Sequence, residues 1–228
     1  MLTVLVSSGL SSLDSVLGGE GYPEKSAVLA VGAPGVGKEA LGYWFVHAGL
    51  TQGDFCLYVT RLSSREILKD AKAFGVDYDQ KVPQWMSNSG SGQSKFDVND
   101  LSGLSFNIKD ILKKNETRRI RIVTDMISTM LMLYPPDTTY RFISQLIGEV
   151  KQHDAVLLAT LEDGMHQPQI ITAMHQLFDG VVEFRIYEEG IRFVPILRVR
   201  KMLGVRPHAG VYSFSFSRNG MELNAYVK

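Results

Sequence analysis

The sequence predicts an α/β domain with a mostly parallel central sheet, helices on both faces and antiparallel strands at the C-terminal end. Three observations carry this. Short, unbroken apolar runs recur at Ala27–Val31, Phe55–Thr60, Ile120–Thr124 and Ala155–Thr160, the pattern of strands buried on both faces. Stretches with helical spacing lie between them, so right-handed crossovers would place helices on both sides of the sheet. After about residue 180 the rhythm becomes one of closely spaced strand-like segments, with turn signals at Glu189-Gly190 and Asn219-Gly220.

The elements follow in order. A helix is expected from Gly37 to about Leu50, after the first strand. Ser64 to Phe74 reads as a helix with Ser64 as N-cap. Gln80 to Asp100, rich in Ser, Gly, Asn and Gln, lacks a period and is expected to be a mobile loop in which Ser87 to Ser94 is either disordered or phosphorylated. Ile108 to Lys114 should be helical. In Thr139 to Val150 the residues Phe142, Ile143, Leu146, Ile147 and Val150 mark one helix face. The late strands are expected at Val181–Arg185, Ile191–Val199, Val211–Ser217 and Met221–Ala225. No tandem repeat and no second domain are visible, so residues 1–228 are expected to form a single domain.

Composition narrows the function classes. Hydrophobic residues make up 45% of the 228, enough for a large core without disulfide or metal staples. Lys+Arg and Asp+Glu are each 24, so no global field draws the chain to nucleic acid or to anionic membrane. Cys56 is the only cysteine, which excludes an intrachain disulfide and a multi-cysteine zinc site and fits a reducing, cytoplasmic setting. Neither a signal peptide nor a membrane span is expected. The five histidines, His47, His153, His166, His175 and His208, lack metal-ligand spacing; His166 and His175 flank an apolar helix-like stretch, where surface or capping roles rather than zinc are expected.

Gly32-Ala-Pro34-Gly35-Val36-Gly37-Lys38 sits between a predicted strand and a predicted helix. This is the G-x-x-x-x-G-K pattern in the context that gives it meaning. Its glycines let successive N–H groups turn inward toward phosphate oxygens, the helix adds its positive end, and Lys38 supplies a cation for the β- and γ-phosphates. ATP or ADP is the expected ligand. The next residue should be Ser or Thr, whose hydroxyl ligates Mg²⁺; here it is Glu39. Two readings stand: Glu39 as a substitute metal ligand, or Glu39 paired with Lys38 so that the site is weakened or closed. The second is favoured. Asp125, at the end of the Ile120–Thr124 strand, is the candidate to orient Mg²⁺ and its waters.

Several short segments, in order, resemble the RecA-like ATPases, and within them the KaiC and archaeal RadA-paralogue group. Ser8-Gly-Leu-Ser-Ser-Leu-Asp14 through Gly19 resembles the family's opening, and Ile122 to Ser128 its strand ending in Asp. Phe178-Asp-Gly-Val-Val182 resembles its Asp-Gly strand start, and Leu197 to Gly204 with His208 its late strand. The resemblance implies a RecA-like P-loop fold, nucleotide held at subunit interfaces, and rings or filaments. It also implies a catalytic Glu-Glu pair after the second strand. Leu62 and Ser63 stand there instead, and Glu66 is too far along to replace them. The family's late strand offers Lys and then Arg to the neighbour's γ-phosphate; Lys201 keeps the first, but Leu203 takes the second place.

The resemblance therefore implies a KaiC-like nucleotide-binding protein with weak or no hydrolysis, in a regulatory or scaffolding role. The alternatives are a slow genuine ATPase using Glu39 and Glu162, linked to DNA recombination or repair, and a nucleotide-free interaction subunit. A homo-oligomer or a hetero-oligomer with a paralogue is expected. Strand alternation would set Leu197, Val199 and Lys201 on one face, with Arg198 and Arg200 offered to a neighbour's acids on the other. Nucleic acid is a weakly supported partner, since aromatics do not cluster with the basic residues. Arg118, Arg119 and Arg121 read as a solvated strand start, Met126, Met130 and Met132 as core or interface filler, and Trp44 as buried.

Overall fold

The computed structural model describes residues 4–78, 83–87, 94–217 and 220–226. In chain order the elements are β1 (Leu5–Val6), α1 (Ser11–Val16), β2 (Tyr22–Pro23), β3 (Ala27–Gly32), α2 (Ala40–Gln52), β4 (Phe55–Thr60), α3 (Ser64–Ala73), β5 (Gln84–Ser87), β6 (Ser94–Lys95), α4 (Leu101–Lys114), β7 (Ile120–Thr124), α5 (Ile127–Leu133), α6 (Pro136–Gln152), β8 (Val156–Glu162), α7 (Pro168–Leu177), β9 (Gly180–Glu189), β10 (Arg192–Met202), β11 (Tyr212–Ser217) and β12 (Gly220–Ala225). One sheet runs β12-β11-β10-β9-β3-β8-β7-β4-β5-β6. Neighbours from β9 to β6 are parallel, and β9 to β12 are antiparallel. The α/β class with a mostly parallel sheet and antiparallel C-terminal strands is thus the fold the chain adopts.

The apolar runs are continuous because the sheet is covered on both faces. In β3 the pleat sends Ala27, Leu29 and Val31 into one core cluster and Val28 and Ala30 into the other. Side chains of α1, α2 and α3 fill the second cluster; those of α4, α5, α6 and α7 fill the first. Parallel strands then end on a common edge, where the loops after β3, β4, β7 and β8 converge.

Several expectations are corrected. Helix α2 begins at Ala40, not Gly37, because Gly37 has φ +94, outside the helical range. The cap of α3 is Ser63, whose hydroxyl accepts from the Glu66 amide while Glu66 returns a bond to the Ser63 amide. Helix α4 starts seven residues earlier than its period suggested, with Asp100 accepting from the Gly103 amide at 2.8 Å. The Gln80–Asp100 segment is not one loop: β5 lies parallel to β4 with Trp85 and Met86 buried on opposite faces, a strand too short to show a period. Ser87 is buried and donates to the Leu62 carbonyl at 2.7 Å. Residues 88–93 and Asn219 lie outside the described residues. Met126 and Met130 are buried but Met132 is 65% exposed, and Trp44 is only partly buried. Among the described residues no helix is long and apolar enough to cross a membrane.

Arg121 is not a solvated strand residue; it is fully buried. Its Nε donates to Asp54 at 2.7 Å, one terminal nitrogen donates to the Ser7 and Phe45 carbonyls at 2.7 and 3.1 Å, and the other to the Gln52 side chain at 2.8 Å. The guanidinium also lies 4.7 Å from the Phe45 ring centroid. A Cβ on Gly49 would come within 2.5 Å of Arg121 Cδ, which explains a glycine inside α2. Removing one partner of a buried ion pair leaves the other uncompensated. Arg121→Met is expected to lower unfolding free energy by about 3–5 kcal/mol, and adding Asp54→Asn to recover part of that loss. Urea denaturation of the two variants checks it; two independent, additive losses would contradict the network.

Candidate functional site

The loop from Gly32 to Glu39 joins β3 to α2. Gly35 and Gly37 take left-handed φ values of +76 and +94. A Cβ on Gly32 would press on Phe184 and Val36 at 2.8 Å, so the loop leaves the sheet only where no side chain stands. Among the described residues, no protein acceptor meets the amides of Gly35, Gly37, Lys38 or Glu39. The Val36 amide between them donates to the Ala33 carbonyl at 3.3 Å, and a group of unpaired N–H groups before a helix suits an anion.

Lys38 is fully buried, and its ammonium has three donors to place. Nζ lies 2.6 Å from Glu39 Oε1, 2.7 Å from Glu162 Oε2 and 3.5 Å from the Ala33 carbonyl. The residue that should supply a metal-binding hydroxyl therefore pairs with the loop's own lysine. Glu162, at the end of β8, adds a second carboxylate. One cation faces two anions here.

Asp125 follows β7 and sits beside the loop. One cavity of about 440 Å³ brings together Pro34, Arg61, Asp125, Ser128 and Glu162. Asp125 Oδ2 accepts from Thr60 Oγ1 at 2.7 Å, and its buried Oδ1 meets no protein donor. Ser128 accepts from the Glu162 amide at 2.9 Å and so fixes the end of β8 against α5. Arg61, not a carboxylate, enters the cavity from the end of β4; Glu66 is spent on the α3 cap. Asp125 could offer Mg²⁺ the one oxygen that meets no protein donor, whereas Glu39 is held by Lys38. One free carboxylate oxygen fits Mg²⁺ that is held chiefly by nucleotide phosphates and water.

A second wall borders the loop that the sequence did not reveal. Gly35, Val36 and Gly37 open onto a cavity of about 400 Å³ faced by Phe74, Phe193, Phe214 and Phe216. Phe74 and Phe216 meet edge to face at 4.9 Å, and a Cβ on Gly37 would lie 2.7 Å from the Phe216 ring. Phe74 is the C-cap residue of α3, more than a hundred residues from Phe193 in β10 and from Phe214 and Phe216 in β11. Only strand alternation at Phe214 and Phe216 hinted at it.

The late strand differs from expectation. β10 lies inside the sheet, and a bulge between Val199 and Lys201 breaks the alternation. Arg198 and Arg200 both reach Glu183 of their own chain, at 2.6 and 2.7 Å, so they are not simply held out for a neighbour's acids. Lys201 is half-buried, and burial lowers its pKa. Leu203 is 60% exposed. Two of the short motifs are structural: Asp14 accepts from the Ser8 amide at 2.9 Å and the Ser7 hydroxyl at 2.7 Å, and Asp179 accepts from the Ala27 amide at 2.9 Å.

Burial pushes the Asp125 carboxyl up to about 6, against the lowering effects of Thr60 and Arg61. The folded chain thus holds this proton more tightly than the unfolded chain, and ionisation costs stability. The cost is absent below the ordinary value of 3.8, grows with rising pH, and is complete above about 6. Asp125→Asn is expected to raise stability by about 3 kcal/mol near pH 8, with the gain vanishing toward pH 4. Urea midpoints across that range check the sign; a gain that is flat with pH would contradict it.

Comparison with known proteins agrees with this geometry. The family described as "ATPase: KaiC" matches residues 6–226. The chain is 26% identical to the circadian clock protein KaiC2 of Synechocystis sp. over 97% of its own length and 39% of that protein's. It is 24% identical to the circadian clock oscillator protein KaiC 1 of the same organism, over 96% of this chain and 42% of the relative. It therefore spans about two fifths of the length of these relatives. The crystal structure of a KaiC-like protein from Pyrococcus horikoshii OT3 superposes with a TM-score of 0.83 at 20% identity, covering 97% of this chain and 99% of that one. The chain belongs to the KaiC family of ATPases.

Proposed function

We propose that residues 1–228 act as one KaiC-type unit that binds ATP or ADP, hydrolyses it weakly or not at all, and serves a regulatory or scaffolding role. The observation that carries this is a split between two parts of one edge. The loop keeps its unpaired amides and its lysine, whereas Leu62 and Ser63 stand where water-activating acids are expected. In this reading the amides from Gly35 to Glu39 and Lys38 hold the phosphates, and the aromatic wall of Phe74 and Phe216 takes the base. Asp125 is the one carboxylate able to orient Mg²⁺ and its waters. Stacking on aromatic faces contributes about 1–3 kcal/mol per base in comparable settings. Nucleotide entry then has to part Lys38 from Glu39 and Glu162.

Assembly belongs to the same proposal. Lys201 is offered to a neighbour's phosphates, and Leu203 removes the second cation of that contact. A homo-oligomer, or a hetero-oligomer with a paralogue, would then depend only weakly on nucleotide.

Calorimetry with ATP and with ADP tests binding. Lys38→Ala should abolish it. Glu39→Thr should tighten it about tenfold, since freeing one charge-assisted bond of the lysine contributes about 1.5–3 kcal/mol. No heat with either nucleotide, in wild type and in Glu39→Thr alike, would overturn the proposal.

Hydrolysis is tested by phosphate release. General-base catalysis contributes about 10²–10⁴-fold, so turnover should stay near background with Mg²⁺ present. A Mg²⁺-dependent rate typical of ATPases, abolished by Asp125→Ala, would show a working catalytic site.

A further inference from the structure

The phosphate loop lies between two cavities of opposite character. Gly35, Val36 and Gly37 open onto the one faced by Phe74 and Phe216, and Pro34 borders the other, whose wall carries Arg61, Asp125 and Glu162. A nucleotide whose base takes the aromatic side runs its phosphates across the loop toward the second cavity. Its last phosphate then arrives beside Glu162. That orientation rests on the reading of the loop as a nucleotide site.

Glu162 is held in place by its backbone. It stands opposite Gly32 in the ladder between β3 and β8. Its amide donates to the Ser128 hydroxyl at 2.9 Å, and the next amide, of Asp163, donates to the Gly32 carbonyl at 2.9 Å. Only rotation of the side chain can move the carboxylate, which lies 2.7 Å from Lys38 Nζ. Glu39 meets the same ammonium at 2.6 Å from the start of α2. Among the described residues, Glu162 lines the second cavity and Glu39 does not.

The charges there disfavour a longer phosphate chain. Glu39, Asp125 and Glu162 stand against Lys38 and Arg61. Arg61 is exposed, so water and salt screen it, whereas Lys38 is fully buried. A diphosphate that ends on Lys38 leaves Glu162 room to return to the ammonium. A third phosphate takes that room and sets its own negative charge against a carboxylate whose backbone cannot retreat. A charge left unpaired by one ligand and not by another is a means of discrimination.

We propose that Glu162 is a specificity-determining residue that makes this site prefer a nucleoside diphosphate to the triphosphate. Its carboxylate stands in for the terminal phosphate on Lys38. ADP then holds the site in mixtures with ATP, which agrees with a regulatory role.

Calorimetry with ADP and with ATP, in excess Mg²⁺, gives the ratio of the two affinities in wild type, Glu162→Gln and Glu39→Thr. Wild type is expected to bind ADP about tenfold more tightly than ATP, the effect of one charge-assisted hydrogen bond lost. Glu162→Gln should tighten ATP and bring the ratio to about one, with ADP changed by less than about threefold. Glu39→Thr should tighten both nucleotides and keep the wild-type ratio. Pyrophosphate and tripolyphosphate repeat the wild-type comparison without a base, and pyrophosphate should bind more tightly. That arm decides the case if Glu162→Gln does not fold. Equal affinities for ADP and ATP in wild type, or tighter ATP, overturn the proposal and leave the nucleotide reading intact. So does a ratio that is unchanged in Glu162→Gln or equally lost in Glu39→Thr, or tripolyphosphate that binds more tightly than pyrophosphate. Absence of heat with every one of these ligands overturns the nucleotide reading itself, and this proposal with it.

Discussion

A fully buried ammonium must have counter-charge, and that requirement shapes the edge of this sheet. Lys38 has no exposed surface, so water cannot neutralise it. Glu39 and Glu162 do so instead, at 2.6 and 2.7 Å. Glu162 is available because β8 lies beside β3 in parallel register, with Gly32 opposite Glu162. Ser128 then holds the Glu162 amide, which ties α5 to the same point. The loop, the end of β8 and the start of α5 are thus fixed by the needs of one charge.

The opposite end of the sheet has a comparable knot. Arg121 enters from β7 and gathers the N-terminal segment, α2 and the turn before β4. Both cations are buried, but their chemistry differs. Arg121 has a planar fork whose donors are divided among four partners, a rigid arrangement with no room for exchange. Lys38 holds two carboxylates on a flexible stem, and an anion with more charge can compete for it. The first arrangement secures the fold; the second leaves a site that can change state.

The region around Asp125 shows how one edge of the sheet divides its residues between a cavity and a helix start. Thr60 still orients Asp125, and the cavity beside the loop is still open. The positions after β4 instead carry Arg61, which faces that cavity, and Ser63, which caps α3. Capping stabilises a helix by about 1 kcal/mol, and Ser63 and Glu66 are committed to it.

Much of this was legible in the sequence. The four buried strands show as apolar runs because both faces of a covered parallel sheet exclude water, and the phosphate loop shows because glycines are required where φ is positive. The contact of Lys38 with Glu39 is legible too, since the two are adjacent in the chain. What the sequence did not disclose depends on distance in the chain. Glu162 reaches Lys38 across 124 residues, and Phe74 meets Phe216 across more than a hundred. Arg121 reads as a surface residue because only its partners from three other segments make burial tolerable. Strand β5 is too short to display a period. Local backbone needs and two-sided burial leave a mark on neighbouring residues; pairing of charges and aromatic faces between distant segments leaves none, and only the folded sheet brings them together.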